Sequence, residues 1–332
     1  MRRMSMMALF VLATTTLRGQ SPPTVHLGGF GDAIFTHRFV TGELDGFAAA
    51  QLSDRWSVLG DVLLQHVHAE ERQDEPSKHF EADLERLYAA YEATDRLRIE
   101  AGQMHTGLVD WNQREHRSRF LQTPIDIPSI ARGEEQGGAW PLHFVGVVLS
   151  GRISGAAGVT YSAGAGEARG RNRDEVQPFF HAPRPSALAS LHLAPDVTPG
   201  LDVGVAAYSG SIPSGARRMD EFDETLSVSF VANAWEIRSE WSEMQHTLDR
   251  GPEYVTRGWY FLASRRWRTI RPYILRDRLT VAEGEEYLAD VRDQDSWALG
   301  IRWDAARRLA FKADVRSNEN HRAGRFQITF SF

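Results

Sequence analysis

Gly324-Arg-Phe-Gln-Ile-Thr-Phe-Ser-Phe332 is the stretch that decides the fold. Phe326, Ile328, Phe330 and Phe332 alternate with Arg325, Gln327, Thr329 and Ser331. Successive side chains of a strand point to opposite faces, so this segment has one apolar face and one polar face. Chain ends are seldom so apolar and so ordered in a soluble protein. A membrane barrel supplies the reason: one face meets lipid, the other a watery lumen, and an aromatic marks the interface.

Working outward, short alternating runs recur along the chain, each near the length a tilted strand needs to cross a bilayer. They fall at residues 25–37, 43–52, 56–68, 79–92, 96–104, 140–150, 152–162, 184–193, 200–209, 222–232, 234–244, 255–266, 269–277, 295–304, 307–316 and 324–332. The fold class read from them is all-β: a transmembrane antiparallel β-barrel of about 16 strands. The connections alternate in length. Residues 53–55, 93–95, 151, 194–199, 233, 267–268 and 305–306 are tight, while 69–78, 105–139, 163–183, 210–221, 245–254, 278–294 and 317–323 are longer. Short periplasmic turns and longer external loops are expected of an outer-membrane barrel, and an even strand number puts both termini on the short-turn side. Tryptophans fall at strand ends: Trp56, Trp235, Trp267 and Trp303 on the periplasmic side, Trp140, Trp259 and Trp297 on the external side, with Trp241 near one and only Trp111 clearly inside a loop. Two such rings read as interfacial girdles.

Composition bounds the rest. The chain has 332 residues, a net charge of −6 and 42% hydrophobic residues. It carries no overall basic footprint, so nucleic acid is not an expected partner. A mean hydropathy of −0.39 is compatible with a barrel, in which alternate strand residues are polar. No apolar run of about 20 residues marks a spanning helix. Cysteine is absent, which removes disulfides, thiol nucleophiles and Cys-based metal sites. Of the basic residues only Lys78 and Lys312 are lysines. Residues 1–20 read as a signal peptide, with Arg2 and Arg3 before a short apolar core and a cut at roughly 18–22. Residues 21–332 are then one barrel domain.

Lipid fixes the phase of several strands, because an arginine at mid-membrane on the lipid face costs about 2–4 kcal/mol. The expected pore-lining side chains are therefore Glu236, Arg238, Glu240, Arg302, Lys312, Asp314, Arg316 and Arg325. They mix signs. They either tune ion selectivity or pair across strands, and both readings stay open. Residues 143–149 and 260–275 are apolar at both parities, so no phase is assigned there.

The longest connection, 105–139, is the third external loop. It holds Trp111, Phe120, Leu121, Ile125, Ile127 and Ile130, too many apolar groups for a disordered segment. Around it the chain resembles a Gram-negative outer-membrane porin of the sixteen-stranded superfamily, with the phosphate-selective porin O/P-like branch nearest. The resemblance rests on Phe80-Glu-Ala-Asp-Leu-Glu-Arg-Leu-Tyr88, Asp95-Arg-Leu-Arg-Ile-Glu-Ala-Gly-Gln103, Trp111-Asn112 and the terminal Phe332. It implies an outer-membrane diffusion channel for small hydrophilic solutes or ions, whose third loop folds inward as the constriction. Asp110, Arg114, Glu115, Arg117 and Arg119 are the constriction candidates it implies. Phe332 would be the assembly signal read by the barrel-assembly machinery. Outer-membrane lipid is an implied partner and a homotrimer the implied assembly. The loop carries no lysine and its charges nearly cancel, so phosphate selectivity is not supported.

Other chemistry has weak signals. His66 and His68 share a strand face, but no third ligand accompanies them, and neither a metal nor a cofactor is expected. Neither a G-x-S-x-G motif nor a P-loop is present, so no enzyme is expected. The remaining alternatives are a plugged barrel acting as a binding or structural surface protein, and a barrel enzyme.

Overall fold

The computed structural model describes residues 23–37, 40–68, 78–115, 119–153, 158–169, 185–214, 217–249, 251–318 and 322–332. The expected signal peptide lies outside them. Sixteen strands follow in sequence order: β1 (Thr24–Phe35), β2 (Val40–Gln51), β3 (Trp56–His68), β4 (Lys78–Thr94), β5 (Leu97–His105), β6 (His143–Ile153), β7 (Val159–Glu167), β8 (Ser186–Leu193), β9 (Leu201–Ser214), β10 (Arg217–Ala232), β11 (Trp235–Leu248), β12 (Glu253–Arg265), β13 (Ile270–Thr280), β14 (Gln294–Ala306), β15 (Leu309–Asn318) and β16 (Arg322–Ser331). Each pairs antiparallel with its neighbours, and β16 pairs back onto β1, so the sheet closes and leaves no edge.

The opening stretch makes that closure. Asp32 faces Thr329, Gly31 faces Phe330 and Phe35 faces Phe326. The Phe332 N–H donates to the Gly29 carbonyl at 3.0 Å, and the Gly29 N–H donates back at 3.2 Å. The rings of Phe330 and Phe332 lie where Cβ atoms of Gly31 and Gly29 would stand, so two glycines on one strand seat two aromatics of the other.

The outward face is apolar and uncovered: Leu299 is 50% exposed, Ile301 43% and Phe326 40%. A continuous band of this kind suits hydrocarbon rather than water. Trp56, Trp235, Trp267 and Trp303 stand exposed at the short-turn end. Trp241 and Trp259 face each other across β11 and β12 toward the other end. Trp140 departs from its expected girdle place. It precedes β6, is 1% exposed and points into the molecule, as does Trp111.

Several boundaries also differ from the sequence reading. Most of the expected loop 210–221 is strand, because β9 runs on to Ser214 and β10 starts at Arg217. Likewise β11 reaches Leu248 and β12 starts at Glu253 within the expected loop 245–254, and β15 reaches Asn318 and β16 starts at Arg322 within 317–323. Above the lipid the backbone ladder continues but nothing requires an apolar outward face, so the alternation that marks a strand stops before the strand does. Gly151 was expected to be a turn and instead lies within β6, where the Arg96 carbonyl sits against the position of a Cβ. Gly158, with φ +59, stands immediately before β7. Asn233 and Ala234, at φ 52 and 70, form the two-residue turn between β10 and β11, the geometry that matches strand twist.

Candidate functional site

Between β5 and β6, residues 106–115 and 119–142 lie in the interior of the barrel. They contain α1 (Asp110–Arg114) and short 3-10 turns at Ser129–Ala131 and Glu134–Gln136. This segment lies against the inner faces of β10–β16 and β1, and inward charges of that arc hold it. The Glu240 carboxylate accepts from the backbone N–H of Asp110 (2.8 Å) and of Trp111 (2.9 Å), so the wall caps the start of α1. Lys312, 1% exposed, donates to the carbonyls of Arg119 (2.5 Å) and Pro124 (2.9 Å). Arg302 donates to the carbonyls of Phe120 (2.6 Å) and Gln122 (2.7 Å). Asp277 accepts from the N–H and hydroxyl of Ser129, and Glu236 accepts from the Thr123 hydroxyl at 2.5 Å.

Asp126 is the centre of the electrostatics. It pairs with Arg316 and, at 2.6 Å, with Arg325, which also holds Asp314 at 2.7 Å. Burial works to raise the Asp126 carboxyl, but the two guanidiniums outweigh it and hold the group well below the usual carboxylate range. Glu115 meets Arg238 at 2.7 Å. There burial wins over the attraction of Arg238 and pushes the carboxyl up to about 7.

The eight residues expected to line a pore make their contacts with the loop, with one another and with neighbouring wall residues such as Tyr260, Ser264, Tyr273 and Ser296. The described constriction candidates are likewise paired. Asp110 binds Arg114 (2.7 Å), Arg114 reaches Asp202 (2.9 Å), and Arg119 holds Glu43 (2.8 Å) and Asp32 (3.4 Å). Arg117 lies outside the described residues.

Apolar packing completes the docking. Ile130 and Trp140 fit against Gly258 of β12, where any Cβ would collide with Ile130. Trp111 meets Tyr260 edge to face with centroids 5.4 Å apart. These residues join Leu262, Leu275 and Ala298 in one buried cluster on the lumen side. Outside the loop, Arg169 closes the cover, donating to Glu221 (2.6 Å) and to the Ala139 carbonyl (2.7 Å). The sequence reading missed this cluster, Asp277, Glu221 and Arg169.

The opposite arc is different. Gly102, Gly146 and Gly166 stand in register on β5, β6 and β7. Ser150, Ser162 and Ser190 stand in register on β6, β7 and β8. Between this wall and the loop lies a cavity of about 320 Å³, bordered by Arg86, Tyr88, Glu100, Asn112, Gln113 and Ser162. Arg86 is held by Asp61 at 2.5 Å and Arg98 by Glu100 at 3.1 Å. On β1–β4, Asp32, Glu43, Asp45, Asp61 and Glu85 border a second, smaller space of about 30 Å³. Alternation alone could have placed Glu43 and Asp45 inward. Glu85 could not be placed that way: Arg86 faces Asp61 and Leu84 faces Val62, so Glu85 is the extra residue of a β-bulge.

No protein-family model and no curated protein sequence matches the chain. Solved structures do. OmpF of Salmonella typhi, in complex with daunomycin, superposes with a TM-score of 0.61 at 12% identity, covering 93% of this chain and 97% of that one. The anion-selective porin from Comamonas acidovorans gives 0.61 at 12%, covering 93% and 100%. OmpT of Vibrio cholerae, an outer membrane protein folded in vitro and in its trimer form, gives 0.56 at 9%, covering 94% and 100%. At such identities the likeness is one of architecture, and the chain has the fold of the sixteen-stranded outer-membrane porins.

Proposed function

We propose that the chain is a passive diffusion channel of an outer membrane, passing small hydrophilic solutes or ions by width and field with no chemical step. The observation that carries this reading is the cavity of about 320 Å³ left between the docked loop and the small-residue arc of β5–β8. Liquid water takes about 30 Å³ per molecule, so the space suits a partly hydrated ion or a small polar solute. Residues 106–142 act as the constriction, and the charges of β10–β16 serve to hold them there. Arg86 and Arg98 each sit on a carboxylate beside the passage, and the carboxylates of β1–β4 outnumber their arginine partners. That balance favours a modest preference for cations. An export leader over residues 1–20, barrel insertion by the assembly machinery and a homotrimer like the form described for OmpT of Vibrio cholerae belong to the same reading.

The buried cluster of Trp111, Ile130 and Trp140 supports a second reading, a plugged barrel. Planar-bilayer recording under a salt gradient separates the two. Stepwise conductance with a small reversal potential of cation sign supports the channel. Folded, inserted protein that never conducts leaves the plug.

A further inference from the structure

We propose that Glu85, His105 and His143 form a binding site for a divalent transition-metal ion of the zinc class on the inner wall. His105 ends β5 and His143 begins β6, and the two residues are cross-strand partners. Glu85 reaches them because it is the bulged residue of β4, turned inward by the extra position. Its Oε2 lies 3.2 Å from His105 Nε2 and 3.3 Å from His143 Nε2, and all three ligand atoms lie within 4.8 Å of one another. Zinc bonds of about 2.0–2.1 Å in a tetrahedron put neighbouring ligand atoms about 3.3 Å apart. The two Glu85–imidazole edges already have that length.

The hydrogen-bonding chemistry asks for a cation at this point. His105 Nδ1 faces the Asn112 carbonyl at 3.4 Å, and a carbonyl only accepts, so Nδ1 carries the hydrogen. In the neutral ring Nε2 then presents its lone pair to the Glu85 carboxylate. Two electron-rich atoms at 3.2 Å need a positive charge between them. A ring nitrogen oriented by a backbone carbonyl is also the usual outer support of a metal-bound histidine. The adjoining space of about 30 Å³, bordered by Asp45, Asp61, Glu85 and His105, has room for a water as fourth ligand. Two imidazoles, one carboxylate and an open position suit zinc and its neighbours rather than calcium or magnesium. The site ties β4, β5 and β6 to α1 through Asn112, beside the larger cavity that His105 also borders.

Untagged full-length protein folded in detergent is titrated with Co²⁺ and followed by visible absorption. The expected result is one equivalent with four-coordinate bands, displaced by Zn²⁺. Affinity falls by about tenfold or more in Glu85→Gln and in His143→Gln, both checked for barrel folding by circular dichroism. Should the histidine variant not fold, Glu85→Gln and the wild-type spectrum decide alone. Absence of the bands overturns the proposal and leaves a proton as the bridging charge. Wild-type-like affinity in folded Glu85→Gln overturns it as well. No readout depends on conduction, so a silent channel and an absent metal are distinguishable failures.

Discussion

The two halves of the inner wall solve different problems. The arc from β10 to β16 carries long charged side chains and ends several of them on the loop: Glu240 on α1, Lys312 and Arg302 on carbonyls, Arg316 and Arg325 on Asp126. The arc from β5 to β8 carries glycine and serine in register and touches the loop less. Charge on a barrel interior is therefore not by itself a pore lining. Here much of it is a fastening, and the passage we propose runs along the other arc, beside Ser150 and Ser162. The Glu236, Glu240 and Asp277 carboxylates of the first arc each accept from several donors, so removing one partner strands the others.

The comparison can be broken most severely at Asp126. Asp126→Ala leaves Arg316 and Arg325 facing each other without their shared counter-ion, a loss of about 3 kcal/mol or more for a buried pair. Denaturant titration should show the destabilisation, and bilayer recording should show larger, noisier steps as the loop comes free. Next in size is Gly258→Val. The added side chain meets Ile130 and Trp140, and overpacking of this kind costs about 1–3 kcal/mol. The change should also raise hydrogen exchange across residues 125–131.

A smaller effect follows from pH. Glu115 rises from an ordinary 4.5 to about 7 in the docked loop. Below pH 4.5 it is protonated in both docked and released states. Between 4.5 and 7 the docked state keeps a proton that the released state gives up, so docking is strongest below 4.5 and weakens as pH rises through that window. Asp126, held low, works the other way and loses its contribution only as pH falls below its ordinary 3.8. Hydrogen-exchange protection of residues 108–115 at pH 5 and pH 8 should therefore differ, and Glu115→Gln should reduce the difference. The smallest effect is expected at Arg257→Ala, which removes an exposed pair with Glu243 and should shift unfolding by about 0.5 kcal/mol or less.

Much of the barrel was legible because lipid imposes a strict rule on one face. Leu299, Ile301 and Trp303 fix the phase of β14 whatever lies inside. Legibility failed where a second apolar partner exists. On β12 and β13, Tyr260, Leu262 and Leu275 face the lumen yet are as apolar as the outward Phe261 and Ile274, because the loop covers them. The phase of that stretch is unreadable until the loop is placed. Trp140 misled for the same reason: a tryptophan at a strand end serves a membrane surface or an interior equally well. The inward charges were readable as inward, but their role was not, since nothing in Lys312 or Asp277 names the backbone atom it holds. His105 and His143 flank the longest loop, and only strand pairing with a bulge at Glu85 brings the three together.

The absence of cysteine makes the central claim directly testable by single-cysteine substitution. Ser162→Cys places a thiol on the open arc, beside the cavity. Ser264→Cys places one beneath the loop, at a residue 3% exposed. A charged, membrane-impermeant thiol reagent should lower the current through Ser162→Cys channels within a single recording and leave Ser264→Cys channels unchanged. A current that responds at Ser264→Cys and not at Ser162→Cys would contradict the account.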